Sequence, residues 1–118
     1  GSNSLSIIVK HLAGNARSRW TDFLTSDGEK PGRRRDSEFE IEPGDTRASL
    51  MERWAAGWAC LEDALLPLTA ADVERKVIIR NEAHSVLEAI NRQLTHYAYH
   101  VGQIGYVRRL LGHSPVAG

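Results

Sequence analysis

Apolar residues recur at three- and four-residue spacing in three long segments of the chain, which is the pattern of amphipathic helices. These segments cover about residues 4–24, 46–66 and 85–111. In the first segment, the apolar positions that share one face are Leu5, Ile8, Leu12, Ala16 and Phe23. The pattern therefore predicts three main helices and an all-α fold.

The second and third predicted helices carry longer apolar stripes. The stripe of the second helix consists of Leu50, Met51, Trp54, Trp58, Leu61 and Leu65. The stripe of the third consists of Val86, Ile90, Leu94, Tyr97, Val101, Ile104 and Leu111. Gly112 is well placed to end this third helix. Each stripe predicts a buried face, so the three helices should pack together as a helical bundle.

The segments between the predicted helices look irregular. Turn-forming pairs mark residues 25–45, at Asp27-Gly28, Pro31-Gly32 and Pro43-Gly44. Twenty structureless residues are unusual in a compact domain, which indicates a loop that is either functional or mobile. Its Arg33-Arg34-Arg35 run is interpreted as solvated surface, with phosphate contact as the alternative. Further along, Val77–Ile79 is a brief extended stretch, too short and isolated to predict a sheet.

Composition narrows the class of protein. A chain of 118 residues with 42% apolar and 25% charged residues is typical of a single folded domain, here residues 1–118. Basic and acidic residues balance at 15 each, so no global field attracts nucleic acid or an anionic membrane. No apolar run is long enough to span a bilayer, and no signal-peptide pattern is visible. The single cysteine, Cys60, fits a reducing compartment, so we expect the cytoplasm.

The residues best suited to chemistry are histidines. His96 and His100 lie four positions apart in the third helix, so both imidazoles can reach one metal ion. A catalytic zinc site usually has three protein ligands, and His11 on the first helix is the best third candidate. His84 and His113 are expected to lie away from this group. The alternative is that these histidines are hydrogen-bonded core residues without a metal.

Three further residues are candidates for supporting roles around the histidines. Gln103 lies one turn beyond His100, and Asn15 one turn beyond His11, so either side chain could orient a ligating imidazole. Tyr97 is more typical of packing, although a phenol beside a metal can donate a proton. No carboxylate joins the set, because Glu52 and Glu62 are off the centre of the apolar stripe of their helix.

Two segments of the chain carry a family resemblance. The stretch from Ile8 to Leu24, with His11, and the stretch from Ser85 to Ile104, with His96 and His100, resemble the DinB-like superfamily. Trp54 and Trp58 extend the similarity, which covers about 100 residues. The nearest branch is a bacterial subfamily of unknown function.

The resemblance implies a four-helix bundle that binds one divalent metal ion through three histidines, which correspond here to His11, His96 and His100. Zinc or nickel suits neutral imidazole ligands. Characterised members of the superfamily include metal-dependent transferases that activate low-molecular-weight thiols, and a thiol-dependent isomerase.

The chain departs from the family pattern at its beginning. Members of the superfamily normally carry a further helix before the segment that contains His11. Without that helix an apolar groove would be exposed, and such a patch usually finds a partner. We therefore expect a homodimer in which the second chain completes the bundle.

Two classes of function fit these observations. One is an enzyme whose metal activates a thiol or water, as a thiol transferase or, second to it, a hydrolase. The other is a non-catalytic helical module that associates with itself and keeps a structural or vestigial metal site. Nucleic-acid binding through Arg33, Arg34 and Arg35 ranks below both.

Overall fold

The computed structural model describes residues 2–112, with side chains from residue 5 onward. Three helices make up most of this part of the chain: α1 (Ser2–Trp20), α2 (Arg47–Leu65) and α3 (Val86–Leu110). Single 3-10 turns lie at Asp36–Phe39 and Ala70–Asp72. The prediction of a mostly helical fold with three main helices is confirmed. Among the described residues, no helix is long and apolar enough to cross a membrane.

Local capping explains where α2 and α3 begin. Thr46 and Ser49 exchange side-chain and backbone hydrogen bonds at the start of α2, and Ser85 and Glu88 do the same at α3. Such reciprocal caps satisfy backbone N–H groups that have no partner within the helix. At the other end of α3, Gly112 follows with a φ of +83°, a conformation that glycine adopts without steric cost.

The first helix is shorter at its C-terminal end than its periodicity predicts. It ends at Trp20 rather than near Leu24, and Asp22 takes a positive φ of 49°. The Ser26 N–H then bonds to the Asp22 carbonyl and closes a turn. Phe23 still reaches the core from this turn, packing its ring 5.2 Å from that of Trp20. The apolar periodicity therefore continues past the end of the helix.

A β-hairpin precedes α3, and the expectation that Val77–Ile79 stays unpaired is wrong. Strands β1 (Lys76–Ile79) and β2 (Glu82–Ser85) pair antiparallel, with Ile79 opposite Glu82. The two turn residues, Arg80 and Asn81, both have positive φ, as a tight two-residue hairpin requires. β1 buries Val77 and Ile79, whereas the polar β2 sequence carries no apolar run that would announce a strand.

Helix α1 occupies the centre of the domain. One buried cluster joins α1 to the hairpin and to the start of α3; it consists of Ala16, Trp20, Phe23, Val77, Ile79, Val86 and Ala89. A second cluster groups Ile8, Leu12 and Tyr97 with the partly buried Trp54, Trp58 and Ile104. Helix α2 approaches α1 closely at Gly57, where an added Cβ would lie 3.2 Å from the Cα of Ala13.

Part of the apolar stripe predicted for α2, and part of that predicted for α3, remains exposed. Leu94 is 65% exposed, Val101 51% and Leu111 46%, and Met51 on α2 is 52% exposed. Helix α3 packs against α1 and the hairpin, while Trp58 and Tyr97 connect α2 to α3 through rings 5.4 Å apart. The expectation that the whole stripe of α3 is buried within the chain is therefore wrong, because no described element covers this side.

Candidate metal centre

The structure brings three histidines from two helices together. His11 comes from α1, and His96 and His100 come from α3, one turn apart. One ring nitrogen from each lies within 4.8 Å of those of the other two. The Nε2 atoms of His11 and His96 are 3.2 Å apart, close to the separation of two nitrogens that share a tetrahedral zinc ion. The three ring nitrogens of this histidine trio are therefore close enough together that they could hold one metal ion.

A buried carboxylate orients the first of these imidazoles. The Nδ1–H of His11 donates to the Oε1 of Glu38 at 3.1 Å, which leaves Nε2 as the free nitrogen facing His96. Arg33 donates to both oxygens of the same carboxylate, at 2.9 and 2.8 Å. Burial alone would raise the pKa of Glu38, but the hydrogen bonds from Arg33 and His11 outweigh it and lower that pKa. Glu38 is therefore an anion that fixes the tautomer of His11.

A glycine on α1 makes room for this carboxylate. Gly14 lies one turn beyond His11, and a Cβ built on it would be 2.7 Å from the Cδ of Glu38. No side-chain carbon can occupy that space while Glu38 stays in place. Gly14 therefore allows the loop to press its carboxylate against α1 between the histidine and the following turn.

The loop that carries Glu38 is fastened to α1 by a buried lysine. The side chain of Lys10 is fully buried, and its Nζ donates to the Glu40 carbonyl, Glu42 and Asp45 at 2.8, 3.0 and 2.8 Å. Burial would lower the pKa of Lys10, but these hydrogen bonds outweigh it and raise that pKa. Residues 25–45 thus form a loop, as their turn residues predict, with a single 3-10 turn at Asp36–Phe39 and a fastening to α1 through Lys10.

The basic run in this loop divides into buried and exposed members. Arg34 and Arg35 are exposed, as a solvated surface requires. Arg33 is not, because its side chain is only 5% exposed and pairs with Glu38. The interpretation of all three arginines as solvated surface is therefore wrong for Arg33, which instead completes the chain of contacts that ends at His11.

A glutamine plays a similar role for the third histidine. The Nδ1–H of His100 donates to the Oε1 of Gln103 at 2.6 Å, so the Nε2 of His100 is left free. This is the contact that the sequence predicts for Gln103. Two of the three histidines thus have their Nδ1 atoms held by oxygen acceptors, which is the usual arrangement around ligating imidazoles.

The other two predicted supporting residues contact each other instead. The hydroxyl of Tyr97 donates to Asn15 Oδ1 at 3.0 Å and accepts from the indole N–H of Trp20 at 3.0 Å. Burial raises the pKa of Tyr97 to about 12. Because its proton is donated to Asn15 and is not readily lost, Tyr97 is a packing residue. Its ring stacks 5.9 Å from that of His96.

The environment of the trio favours neutral imidazoles. Burial and the neighbouring His100 and His11 lower the pKa of His96 to about 4. Burial also lowers the pKa of His100, with a further contribution from His11 and an opposing one from Gln103. Neutral imidazoles offer lone pairs to a metal, so these α3 histidines need lose no proton to bind one at neutral pH.

Sequence reasoning missed Glu38, the one carboxylate that contacts the trio among the described residues. The helix carboxylates Glu52 and Glu62 are exposed on α2, whereas Glu38 is buried in the loop between α1 and α2. Two features of the sequence point to this loop. Glu38 is an acid in a segment that is also rich in basic residues, and Gly14 lies one turn after His11, where a glycine weakens the helix. His84 lies in β2 and does not join the trio, while His113 lies outside the described residues.

The trio is open on one side. A pocket of about 650 Å³ reaches His11 and His100 and is bounded by α1, α3 and the loop. This volume is in the range of small-molecule sites. A ligand could therefore approach the free nitrogens of these two histidines from solvent.

Fold and site together define a mostly helical protein with a histidine trio that could hold one metal ion, supported by a loop carboxylate. The chain belongs to the family described as "Protein of unknown function (DUF1572)", whose model matches residues 1–115. No curated protein and no solved structure matches the chain. The description of the family assigns no activity.

Proposed function

We propose that this protein is a DinB-like metalloprotein that holds one divalent ion, zinc or nickel, on His11, His96 and His100. The observation that carries the proposal is the orientation of the imidazoles. Glu38 and Gln103 hold the Nδ1 atoms of His11 and His100, so that free Nε2 atoms remain for the ion. Three neutral nitrogen donors suit zinc or nickel better than magnesium or calcium, which prefer oxygen ligands.

The proposed activity is the transfer of a low-molecular-weight thiol to an electrophile, with water activation as the variant. A divalent ion with one open position lowers the pKa of a bound thiol or water. With an ion bound, Glu38 would stabilise the partial positive charge on His11 through their hydrogen bond, and Arg33 keeps Glu38 ionised. The pocket beside His11 and His100 gives a thiol or water access to the ion.

The setting we propose is a bacterial cytoplasm, with the protein acting as a homodimer. The support for a dimer is the stripe of exposed apolar residues on α3, which includes Leu87, Leu94 and Val101 at seven-residue intervals. Such spacing suits contact with another helix. A second copy that packs here would complete a four-helix arrangement without covering the pocket, which lies on another face of α3.

The test is metal content measured by plasma mass spectrometry on protein purified without chelator or a nickel column. We expect about one zinc or nickel ion per chain. His100→Ala should lose it, while His84→Ala, a histidine outside the trio, should keep it. If neither the unaltered protein nor the protein dialysed against zinc retains any ion, the metal proposal fails.

The alternative is a non-catalytic helical module that associates with itself, with a structural or vestigial metal site. The exposed stripe on α3 favours it as much as it favours a dimeric enzyme. Val101→Lys places a charge in this stripe and should dissociate the dimer in either case, as sedimentation would show. The two differ at the ion, because a structural ion has its coordination positions filled by the protein, whereas a catalytic one keeps a position open. In the alternative, a low-molecular-weight thiol should not bind the metal-loaded protein, and in the preferred proposal it should bind the ion directly.

A further inference from the structure

The pocket beside the histidine trio has walls of a particular kind. Its aromatic members, Phe39, Tyr99 and Tyr106, are between 50 and 65% exposed. Ile7, Ile8 and Val107 add aliphatic surface. Large rings exposed together around one opening are unusual on a protein surface and mark a place where another molecule binds.

The polar groups of the pocket are few and lie together at its inner end. They are the imidazoles of His11 and His100 and the amide of Gln103, apart from the tyrosine hydroxyls. Among the described residues, no aspartate, glutamate, lysine or arginine lines it. Behind His11, the charges of Glu38 and Arg33 neutralise each other through two hydrogen bonds. Apart from the proposed ion, these walls therefore offer a ligand aromatic and aliphatic contact rather than charge.

From these contacts we infer that the site takes an aromatic molecule that presents a single donor atom, a thiol, to the histidine-bound ion. The aromatic body lies between Tyr106 and Phe39, and the thiol reaches inward toward His11 and His100. Binding of the thiol rests on the proposed function, whereas binding of the aromatic body rests on the pocket walls alone. The inference excludes small aliphatic thiols as preferred ligands.

Tyr106 is the best position for the test. It is 64% exposed, and it makes no ring contact with the histidines, unlike Phe39, which lies 5.4 Å from His11. Tyr106→Ala should therefore remove a wall without disturbing the ion. Leu66→Ala is the control, because Leu66 is an 80% exposed apolar residue at the end of α2, outside both the pocket and the exposed stripe of α3.

The first measurement uses the cobalt-loaded protein, in which a bound thiolate gives a charge-transfer absorption band. Titration with phenylmethanethiol should saturate at a concentration ~10-fold lower than titration with ethanethiol, since one aromatic wall contact changes affinity by about this factor. Tyr106→Ala should weaken phenylmethanethiol ~10-fold and Leu66→Ala should not. Equal affinity for the two thiols, or an unchanged Tyr106→Ala, would overturn the inference.

The second measurement separates this inference from the metal proposal. On metal-free protein, benzyl alcohol should shift the backbone NMR signals of Gly102 and Gln103, and ethanol should shift them far less. If cobalt does not bind but benzyl alcohol does, the proposed function fails and the aromatic site stands. If cobalt binds and neither aromatic probe is preferred over its aliphatic counterpart, the metal proposal stands and the aromatic site is wrong.

Discussion

Gly14→Ala should destabilise the protein, although the same change inside a helix ordinarily stabilises by about 0.5–1 kcal/mol. The new Cβ would lie 2.7 Å from the Cδ of Glu38. A glutamate in solvent would swing aside at little cost. Glu38 cannot, because it is buried and accepts three hydrogen bonds, two from Arg33 and one from His11.

The expected magnitude follows from what the displaced carboxylate loses. Hydrogen bonds to a charged group contribute about 1.5–3 kcal/mol each, and a carboxylate displaced from His11 loses one of them. Set against a gain in helix propensity of up to about 1 kcal/mol, the net loss in the free energy of unfolding should be roughly 2 kcal/mol. Because His11 also loses its Nδ1 acceptor, zinc affinity should fall by about 10- to 100-fold.

The assay is urea unfolding followed by circular dichroism, together with zinc affinity measured by competition with a chelator. Gly105→Ala is the control, since an added Cβ at this α3 position meets nothing within 4 Å and should stabilise. In a Glu38→Ala background the obstructing atoms are gone, so Gly14→Ala should stabilise there as well. The reasoning is refuted if Gly14→Ala behaves like Gly105→Ala in the unaltered protein and zinc affinity stays the same.

Two further predictions concern how the loop is held. Lys10→Met keeps the aliphatic length but leaves the nearly buried Asp45 without its cation, so the free energy of unfolding should fall by about 2 kcal/mol. Trypsin should then cut faster after Arg34. The control Lys76→Met, at an exposed lysine, should change neither the free energy of unfolding nor the rate of cleavage after Arg34. Asp27 accepts hydrogen bonds from three backbone N–H groups of the loop and the hairpin turn, which hold its pKa below 3.8. A lowered carboxyl pKa stabilises the fold above pH 3.8, and this stabilisation is lost as the pH falls through the pKa of the folded state. The difference in melting temperature between the unaltered protein and Asp27→Asn should therefore be wide at pH 6 and narrow at pH 3. A difference that does not depend on pH would contradict this.

The sequence predicts the helices of this fold better than it predicts which elements pack against each other. Spacing alone locates α2 and α3 within a residue or two, because their apolar stripes are long and their ends carry capping residues. It also places His96 and His100 on one side of α3. Which element packs on a stripe is a different question, and periodicity does not answer it. For this reason Leu94 and Val101 seemed buried within the chain and are exposed.

The parts that sequence reasoning missed depend on contacts between distant residues. Glu38 sits in a loop with no periodicity, and its meeting with His11 across 27 positions is set by Lys10 and by the space at Gly14. Strand β2 is polar, so only its pairing with β1 identifies it. Neither feature leaves a local pattern in the chain.

The separations along the chain also bear on the order in which the molecule assembles. Lys10 and His11 reach loop partners 27 to 35 positions away, while the contact between His11 and His96 spans 85 positions. Closing the longer span costs about 1 kcal/mol more in chain entropy, so the loop should dock on α1 before α3 arrives. His11 would then be oriented before α3, which carries His96 and His100, has packed against α1. If a metal ion binds the histidine trio, it would therefore bind at the last step of folding and would not form part of the folding nucleus.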